Sequence, residues 1–252
     1  MNPFFTIRSE WIKLRTTKAL FWTSGVFIAL GLLLPGLAGW SANQTEGGYI
    51  EVTLLPMGIY YFGMLVIIIQ SIMVVTSEYR HNSISVTFAA TPQRILVMLC
   101  KWFLYSVIAI LLTFFTLLAG FYLAKLTGGA ELSAQIDIWN DTNLLRMMWV
   151  YPLIVFLVVS ICMGVAMLVR QTAGAIAIML AWFLGLEKGL YFLPKHGPKI
   201  ANHGPFSNLE AFVNRAGLTH TSWDYTGSLY YFIAWAAVLF ILGLIAVRLR
   251  DA

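Results

Sequence analysis

The chain has 252 residues, of which 60% are hydrophobic and 11% charged, with a formal charge of +5. That balance lies far from the composition of a soluble domain and implies an integral membrane protein. It excludes a water-soluble enzyme, and the basic excess is read as a topological signal, with no nucleic-acid partner implied.

A bilayer's hydrocarbon layer takes about 20 apolar residues per helical span, at a rise of about 1.5 Å each. Six stretches meet that requirement: Ala19–Trp40, Leu54–Thr76, Ile95–Leu126, Met147–Val169, Thr172–Leu193 and Leu229–Val247. Their apolar runs are continuous rather than alternating, which predicts helices and not barrel strands. The expected fold is an all-α polytopic membrane protein, residues 1–252 forming a single membrane domain. The third stretch exceeds the hydrocarbon thickness, and Lys101 near its start places its first turns in the interface or the cytoplasm, or tilts the helix.

Ahead of the first span, "MNPFFTIRSEWIKLRTTK" offers Asn2 as a helix cap and Pro3 at the first helical position. Phe4, Ile7, Trp11 and Leu14 step by three, four and three, so they share one helix face. Arg8, Lys13, Arg15 and Lys18 lie elsewhere on it. A basic anchor that only sets topology is one reading. The aromatic stripe favours an amphipathic helix lying in the inner leaflet. The apolar run of the first span, about 22 residues without a cleavage context, is longer than a signal-peptide core and reads as a retained span.

Lysine and arginine set the orientation. The N-terminal arm, the second-to-third connection (Arg80, Arg94), the fourth-to-fifth connection (Arg170) and the tail (Arg248, Arg250) hold nine. The opposite side holds four, Arg146, Lys195, Lys199 and Arg215. Positive-inside logic places both termini in the cytoplasm of a multi-pass protein of the cell membrane. Cys100 and Cys162 fall within spans and read as packed thiols.

Of the far-side connections, residues 194–228 are the longest, and "LPKHGPKIANHGPFSNLEAFVNRAG" punctuates a short apolar helix around Phe206–Val213 with prolines and glycines. This predicts a partly embedded or re-entrant cap. In span five, Ala173, Ala177, Ala181, Gly185 and Gly189 recur at every fourth position. A stripe of small residues lets helices approach closely in lipid, either within the chain or at a subunit interface. Glu187 and Lys188 interrupt the same span, as an interfacial pair reaching water or as a polar group facing a pathway.

Motifs for catalysis are missing from the sequence. There is no G-x-x-x-x-G-K-[S/T] loop to cradle phosphate, no H-E-x-x-H or paired-cysteine spacing for a metal, and no G-x-S-x-G elbow. Gln70 is the main polar residue inside span two. A non-catalytic membrane subunit is expected, with no cofactor of its own.

The remaining concentration of charge lies in "EYRHNSISVTFAATPQRILVMLCKW", between spans two and three. Thr91-Pro92 reads as an N-cap followed by proline at the first helical position, with Arg94 and Lys101 on the first turns of span three. Upstream, "SISVTF" alternates through Ile84, Val86 and Phe88, a strand-like period. An isolated strand would leave its backbone groups unpaired. A short helix capped by Asn82, with Ile84 and Phe88 on one face, satisfies them locally and is the preferred reading. Glu78, Tyr79, Arg80 and His81 precede it as a charged mount, or as a solvated cluster that enforces topology.

With "SEWIKLRTTK" before span one and "LGLEKGLYFLP…HGPFSNLEAFV" after span five, this stretch makes the chain resemble the type-2 ABC exporter permeases, the membrane subunits of the ABCG-like or type V fold. The resemblance implies six spans that pair with a second copy or a related permease and with a separate ABC ATPase, which would bind ATP and Mg. It implies that about Asn82–Ala90 is a coupling helix docked on that ATPase, with Glu78, Tyr79, Arg80, His81, Thr91, Pro92 and Arg94 around it. The N-terminal helix would be the connecting helix. Spans one and five would form the subunit contact, and short helices after span five would form a lid. A stand-alone channel or a sensory membrane protein without an ATPase is the alternative from another class.

Overall fold

The computed structural model describes residues 3–44, 50–80, 84, 87 and 93–249. Among these the chain is helical, with no strand. Six helices are long and apolar enough to cross a membrane: Lys18–Asn43, Val52–Arg80, Arg94–Thr127, Thr142–Val169, Thr172–Leu190 and Tyr225–Leu249. The protein is thus a multi-pass, all-α membrane protein. Each span is found where hydropathy predicts it, with ends a few residues out. The fifth closes at Leu190, three residues short of the expected Leu193, where Pro194 four positions on removes the N–H that would bond the Leu190 carbonyl.

In chain order the helices are α1 (Pro3–Thr16), α2 (Lys18–Asn43), α3 (Met64–Arg80) entered through a π-helical turn at Ile59–Gly63, α4 (Arg94–Thr127), α5 (Gly129–Gln135), α6 (Thr142–Val169), α7 (Thr172–Ala181), α8 (Glu187–Leu190), α9 (Gly197–Asn202), α10 (Pro205–Asn214) and α11 (Tyr225–Leu249). A second π-helical turn, Trp182–Leu186, joins α7 to α8, so span five is one continuous helix with a wider turn near its far end. If each of the six helices crosses once, the connections 81–93 and 170–171 lie on the side of α1, called here the N-terminal face. The remaining connections belong to the far face.

Thr17 alone separates α1 from α2, with an extended backbone (φ −82°, ψ 103°). Both threonines at the break return their hydroxyls to carbonyls of the preceding turn, Thr16 to Ile12 at 2.9 Å and Thr17 to Lys13 at 2.7 Å. Such back-bonding by β-branched residues competes with continuation of the helix.

Two compact units make up the chain, one of residues 1–8, 71–103 and 157–252, the other of 9–70 and 104–156. In the second, α2 presents a buried stripe of Phe27, Gly31, Pro35 and Gly39. A methyl on Gly31 would lie 2.7 Å from a methyl of Thr116, and one on Gly39 would lie 2.7 Å from the carbonyl oxygen of Ala124. Span one therefore packs against α4 through missing side chains, the way helices approach in lipid.

In the first unit, the C-terminal half of α6 is buried nearly all round from Leu157 to Met167. That is the behaviour of a helix apolar on every face, and α6 is the most apolar of the six spans, with a mean hydropathy of 2.8 in its best window. Its contact with α11 is at Gly164, where an added Cβ would fall 2.5 Å from the Leu239 carbonyl oxygen and 2.8 Å from the Phe240 nitrogen. Backbone cannot yield as a side chain can, so Gly164→Ala is expected to separate α6 from α11 at a cost of about 1–3 kcal/mol. Thermal unfolding of the purified chain checks this, and a midpoint equal to the parent's would remove the close contact. One turn before it, Trp102 donates its indole N–H to Ser160 Oγ at 2.9 Å and packs on Phe240 at 5.0 Å. Cys100 and Cys162 are both buried thiols of this unit.

Candidate functional site

At the N-terminal face of the first unit, the end of α3 meets the start of α4 through an ion pair. Lys101 Nζ donates to Glu78 Oε1 at 2.7 Å, and the two side chains are only 4% and 9% exposed. Charges this deep persist only when paired. The next residue, Tyr79, is covered by the Arg170 guanidinium, 5.3 Å from its ring centroid. Arg170 Nη2 also donates to the Ala246 carbonyl of α11 at 3.2 Å, and Thr172 Oγ1 donates to Thr76 Oγ1 at 2.9 Å. Within one turn of its end, α3 is therefore tied to α4 and to the junction of spans four and five, and that junction is tied to α11.

Arg170 holds this position with a left-handed backbone (φ 56°), its N–H closing the last turn of α6 on Ala166 at 2.9 Å. Glycine normally occupies such a helix-terminating position, and a residue with a Cβ there is worth about 1–2 kcal/mol of strain. The cation–π and carbonyl contacts offset it. The connection between spans four and five thus consists of two residues with a fixed geometry.

Of the residues expected around the coupling segment, Glu78 is buried in the ion pair, Tyr79 is half-buried under Arg170, Arg80 is exposed and Arg94 is half-buried in the first turn of α4. Ile84 and Thr87, the described residues of "SISVTF", are helical, and Ile84 is 4% exposed. His81, Asn82, Phe88, Thr91 and Pro92 lie outside the described residues, as does Asn2. Lys101 supplies the ion pair, and Arg170, counted only as a topological charge, supplies the second tie.

The far face of the same unit carries a second polar assembly. Glu187, buried near the end of span five, accepts hydrogen bonds from the Phe206 N–H (3.1 Å), the Ser207 N–H (2.6 Å), Ser207 Oγ (2.8 Å) and the Trp182 indole (2.6 Å). Phe206 and Ser207 belong to the first turn of α10, whose N–H groups have no partners within the helix, so the carboxylate caps α10 from another segment and meets the favourable end of its dipole. Lys188 turns the other way and reaches Glu210 on α10 at 3.0 Å. The two charges that interrupt span five are thus not paired with each other; both hold α10.

Within α10, Asn208 donates to the carbonyls of Asn202 (3.0 Å) and Gly204 (2.8 Å) and accepts from the Trp223 indole (3.0 Å). Trp223 stacks on Tyr231, whose hydroxyl donates to the His203 carbonyl at 2.8 Å. Asp224 then caps α11; the Gly227 N–H and the Thr226 hydroxyl hold its carboxyl below the usual carboxylate range. The expected cap after span five is therefore two short helices, stitched to spans five and six. His203 is engaged by the Lys199 carbonyl and by Trp223, and among the described residues no three metal-ligating side chains converge.

Gln70, in the second unit, is the centre of a satisfied network. Its amide donates to Thr23 Oγ1 (2.5 Å) and to the Leu20 carbonyl (3.3 Å), and its Oε1 accepts from Tyr105 at 2.8 Å. These contacts join α2, α3 and α4. They make Gln70 a tie between spans.

The small-residue stripe of span five faces away from the chain: Ala173, Ala177, Ala181 and Gly189 are exposed and Gly185 is half-exposed. Beyond their own helix's backbone, no described atom lies within 4 Å of a Cβ added at Gly185 or Gly189. A spacing of four residues drifts ~40° per step on an α-helix of 3.6 residues per turn. The π-helical turn at Trp182–Leu186 absorbs about one extra residue and turns the helix back, keeping the stripe on one side. On α1 the predicted stripe divides. Leu14 is buried, Ile7 half-buried, and Phe4 (77%) and Trp11 (46%) are exposed. The face turned inward is instead Thr6, Glu10 and Leu14, with Glu10 paired to Lys13 at 2.7 Å. An apolar face left outward beside basic residues suits a helix at a lipid interface.

No known protein-family model and no curated protein matches the chain.

Proposed function

We propose that the chain is the permease subunit of an ATP-driven ABC exporter of the cell membrane, with both termini in the cytoplasm. The observation that carries this reading is the buried Glu78–Lys101 pair, which clamps the two helices flanking segment 81–93. A displacement imposed on that segment from outside the membrane reaches the spans only if its mount is rigid. The pair, the Arg170 bridge and the Thr172–Thr76 bond supply that rigidity. A separate ABC ATPase, binding ATP and Mg, would push on the segment. A second permease copy or a related permease would cover the exposed stripe of span five, and α1 would lie on the inner leaflet. The cargo would be an amphipathic, lipid-like, drug or peptide compound leaving the cytoplasm or inner leaflet.

Affinity purification of the chain in mild detergent tests the whole reading. A Walker-type ATPase is expected to come down with it and to be stimulated by cargo. A chain that purifies without one, and whose transport no ATPase raises, is the channel or sensor of the alternative.

Two substitutions refine it. Because Ala177 and Ala181 are exposed, leucine at either leaves the subunit's own packing intact, and Ala177→Leu or Ala181→Leu is expected to reduce cross-linking between subunits several-fold. Parent-like yields would move the interface elsewhere. Ile84 is buried, so Ile84→Asp is expected to loosen the segment and abolish cargo-stimulated ATP hydrolysis while insertion persists. Stimulation at the parental level would show that the segment transmits nothing.

A further inference from the structure

The three shortest spans, Lys18–Asn43, Thr172–Leu190 and Tyr225–Leu249, each carry an outward apolar run closed at both ends by an exposed aromatic or polar side chain. On span one the run lies between Trp22 and Trp40, which are 77% and 59% exposed, and every exposed residue between them is aliphatic or glycine. Span six repeats this from Tyr230, 71% exposed, to Arg248, with only aliphatic residues exposed between. On span five the run starts after Gln171 and stops before Lys188, both exposed. Beyond Lys188 the chain turns back, bringing Gly197 against the Leu190 carbonyl, so the exposed Phe192 and Leu193 do not lengthen the run. Tryptophan and tyrosine settle where headgroups meet hydrocarbon, and lysine and arginine there keep their charge in water. The end residues therefore mark both boundaries of the apolar layer on each span.

The separations agree. Trp22 to Trp40 and Tyr230 to Arg248 are each 18 positions, about 27 Å at the α-helical rise, and Gln171 to Lys188 is 17, about 25 Å. Span one belongs to one compact unit and spans five and six to the other, so each unit gives the same figure by itself. Tilt only lowers these values. The 34-residue α4 and the 28-residue α6 can meet a thinner layer by tilting, whereas a short span cannot lengthen to meet a thicker one.

We infer that the lipid-facing surface is built for a bilayer whose hydrocarbon layer is no thicker than about 27 Å, against roughly 30 Å for an average bilayer and ~32–33 Å for one rich in sterol and sphingolipid. The partner that fits is a sterol-poor phospholipid bilayer with acyl chains of short to moderate length. A thicker layer draws Gln171 and Lys188 below the headgroups, where polar groups are costly to place. The inference needs neither an ATPase nor a second subunit, and so is independent of the exporter reading.

The test reconstitutes the full chain in a series of phosphatidylcholine bilayers of increasing acyl length, the hydrocarbon thickness of each measured by X-ray scattering. Quenching of the tryptophans by brominated phosphatidylcholine of each length gives a relative lipid-binding constant. The constant is expected to peak at or below about 27 Å and to fall roughly twofold for each further ~4 Å. Trp22→Phe and Trp40→Phe, which keep an aromatic ring in place, then isolate the two indoles. Each variant should lose quenching by bromine placed near the ester carbonyls and keep quenching by bromine at the chain ends. The inference is overturned by a constant that stays flat across the series, or by one that peaks at about 30 Å or more. It is also overturned if chain-end bromine quenches either indole more strongly than carbonyl-side bromine, because that indole would then lie inside the hydrocarbon and mark no boundary.

Discussion

Glu78→Gln is expected to destabilise the chain more than any other single change on the N-terminal face. The substitution leaves Lys101, only 4% exposed at its side chain, without its counter-charge. Breaking a buried ion pair from one side typically costs about 3–5 kcal/mol, because the orphaned charge keeps its desolvation penalty. Lys101→Met should cost a similar amount by orphaning the carboxylate. Glu78→Gln together with Lys101→Met should be markedly milder than the sum, since apolar and neutral groups can replace a buried pair at little cost. Thermal unfolding of the four proteins in detergent forms the cycle. Additive losses would mean that the two side chains do not interact, and the rigid mount would lose its main support. Under the proposed function, the double variant also separates stability from transmission: it should insert and remain folded, yet couple poorly if the charge pair fixes the angle between α3 and α4.

Glu187→Ala should have the second-largest effect, and a local one. The change removes the acceptor of four hydrogen bonds and leaves the buried Phe206 N–H and the Ser207 N–H without a partner at the start of α10. Hydrogen bonds to a charged group contribute about 1.5–3 kcal/mol each. Even after relaxation, α10 should open more easily by about 2 kcal/mol, roughly a 30-fold loss of amide protection. Hydrogen exchange resolved along the sequence is the measurement, with Pro205–Asn214 losing protection and α6 keeping its own. Equal protection in α10 would show that the lysine bridge to Glu210 and the Asn208 contacts hold it alone. Glu187→Gln, which keeps the shape and one acceptor oxygen, should fall between the two.

Much of this architecture could be read from hydropathy because each span must satisfy its own backbone in lipid, leaving little choice of structure. The short helix around Phe206–Val213 was legible through its proline and glycine punctuation. The partners of the charges were not. Lys101 stands 23 positions from Glu78, and a buried pair at that separation has no periodic signature; its only trace was a lysine placed too deep in span three to reach water easily. Small residues left two readings open, packing within the chain or against another subunit. The fourth-position stripe that stood out in sequence, Ala173 to Gly189, faces outward, whereas the stripe that packs within the chain is Phe27–Gly31–Pro35–Gly39, where proline and phenylalanine disguise it. On α1 the apolar spacing did not mark a single face: Phe4 and Trp11 point outward, while Leu14 is buried beside Thr6 and Glu10.

Span five, finally, is a lever with one soft joint. Its ten-residue α-helical stem, α7, starts at the fixed Arg170–Gln171 corner and is stiffened by regular i→i−4 bonds. Ahead of Glu187 comes the single π-helical turn, Trp182–Leu186, and the indole that begins this turn is itself bonded to the carboxylate beyond it. The bonding pattern of the rod changes at this turn, so any change in the bend of span five there would alter the angle at which Glu187 meets α10.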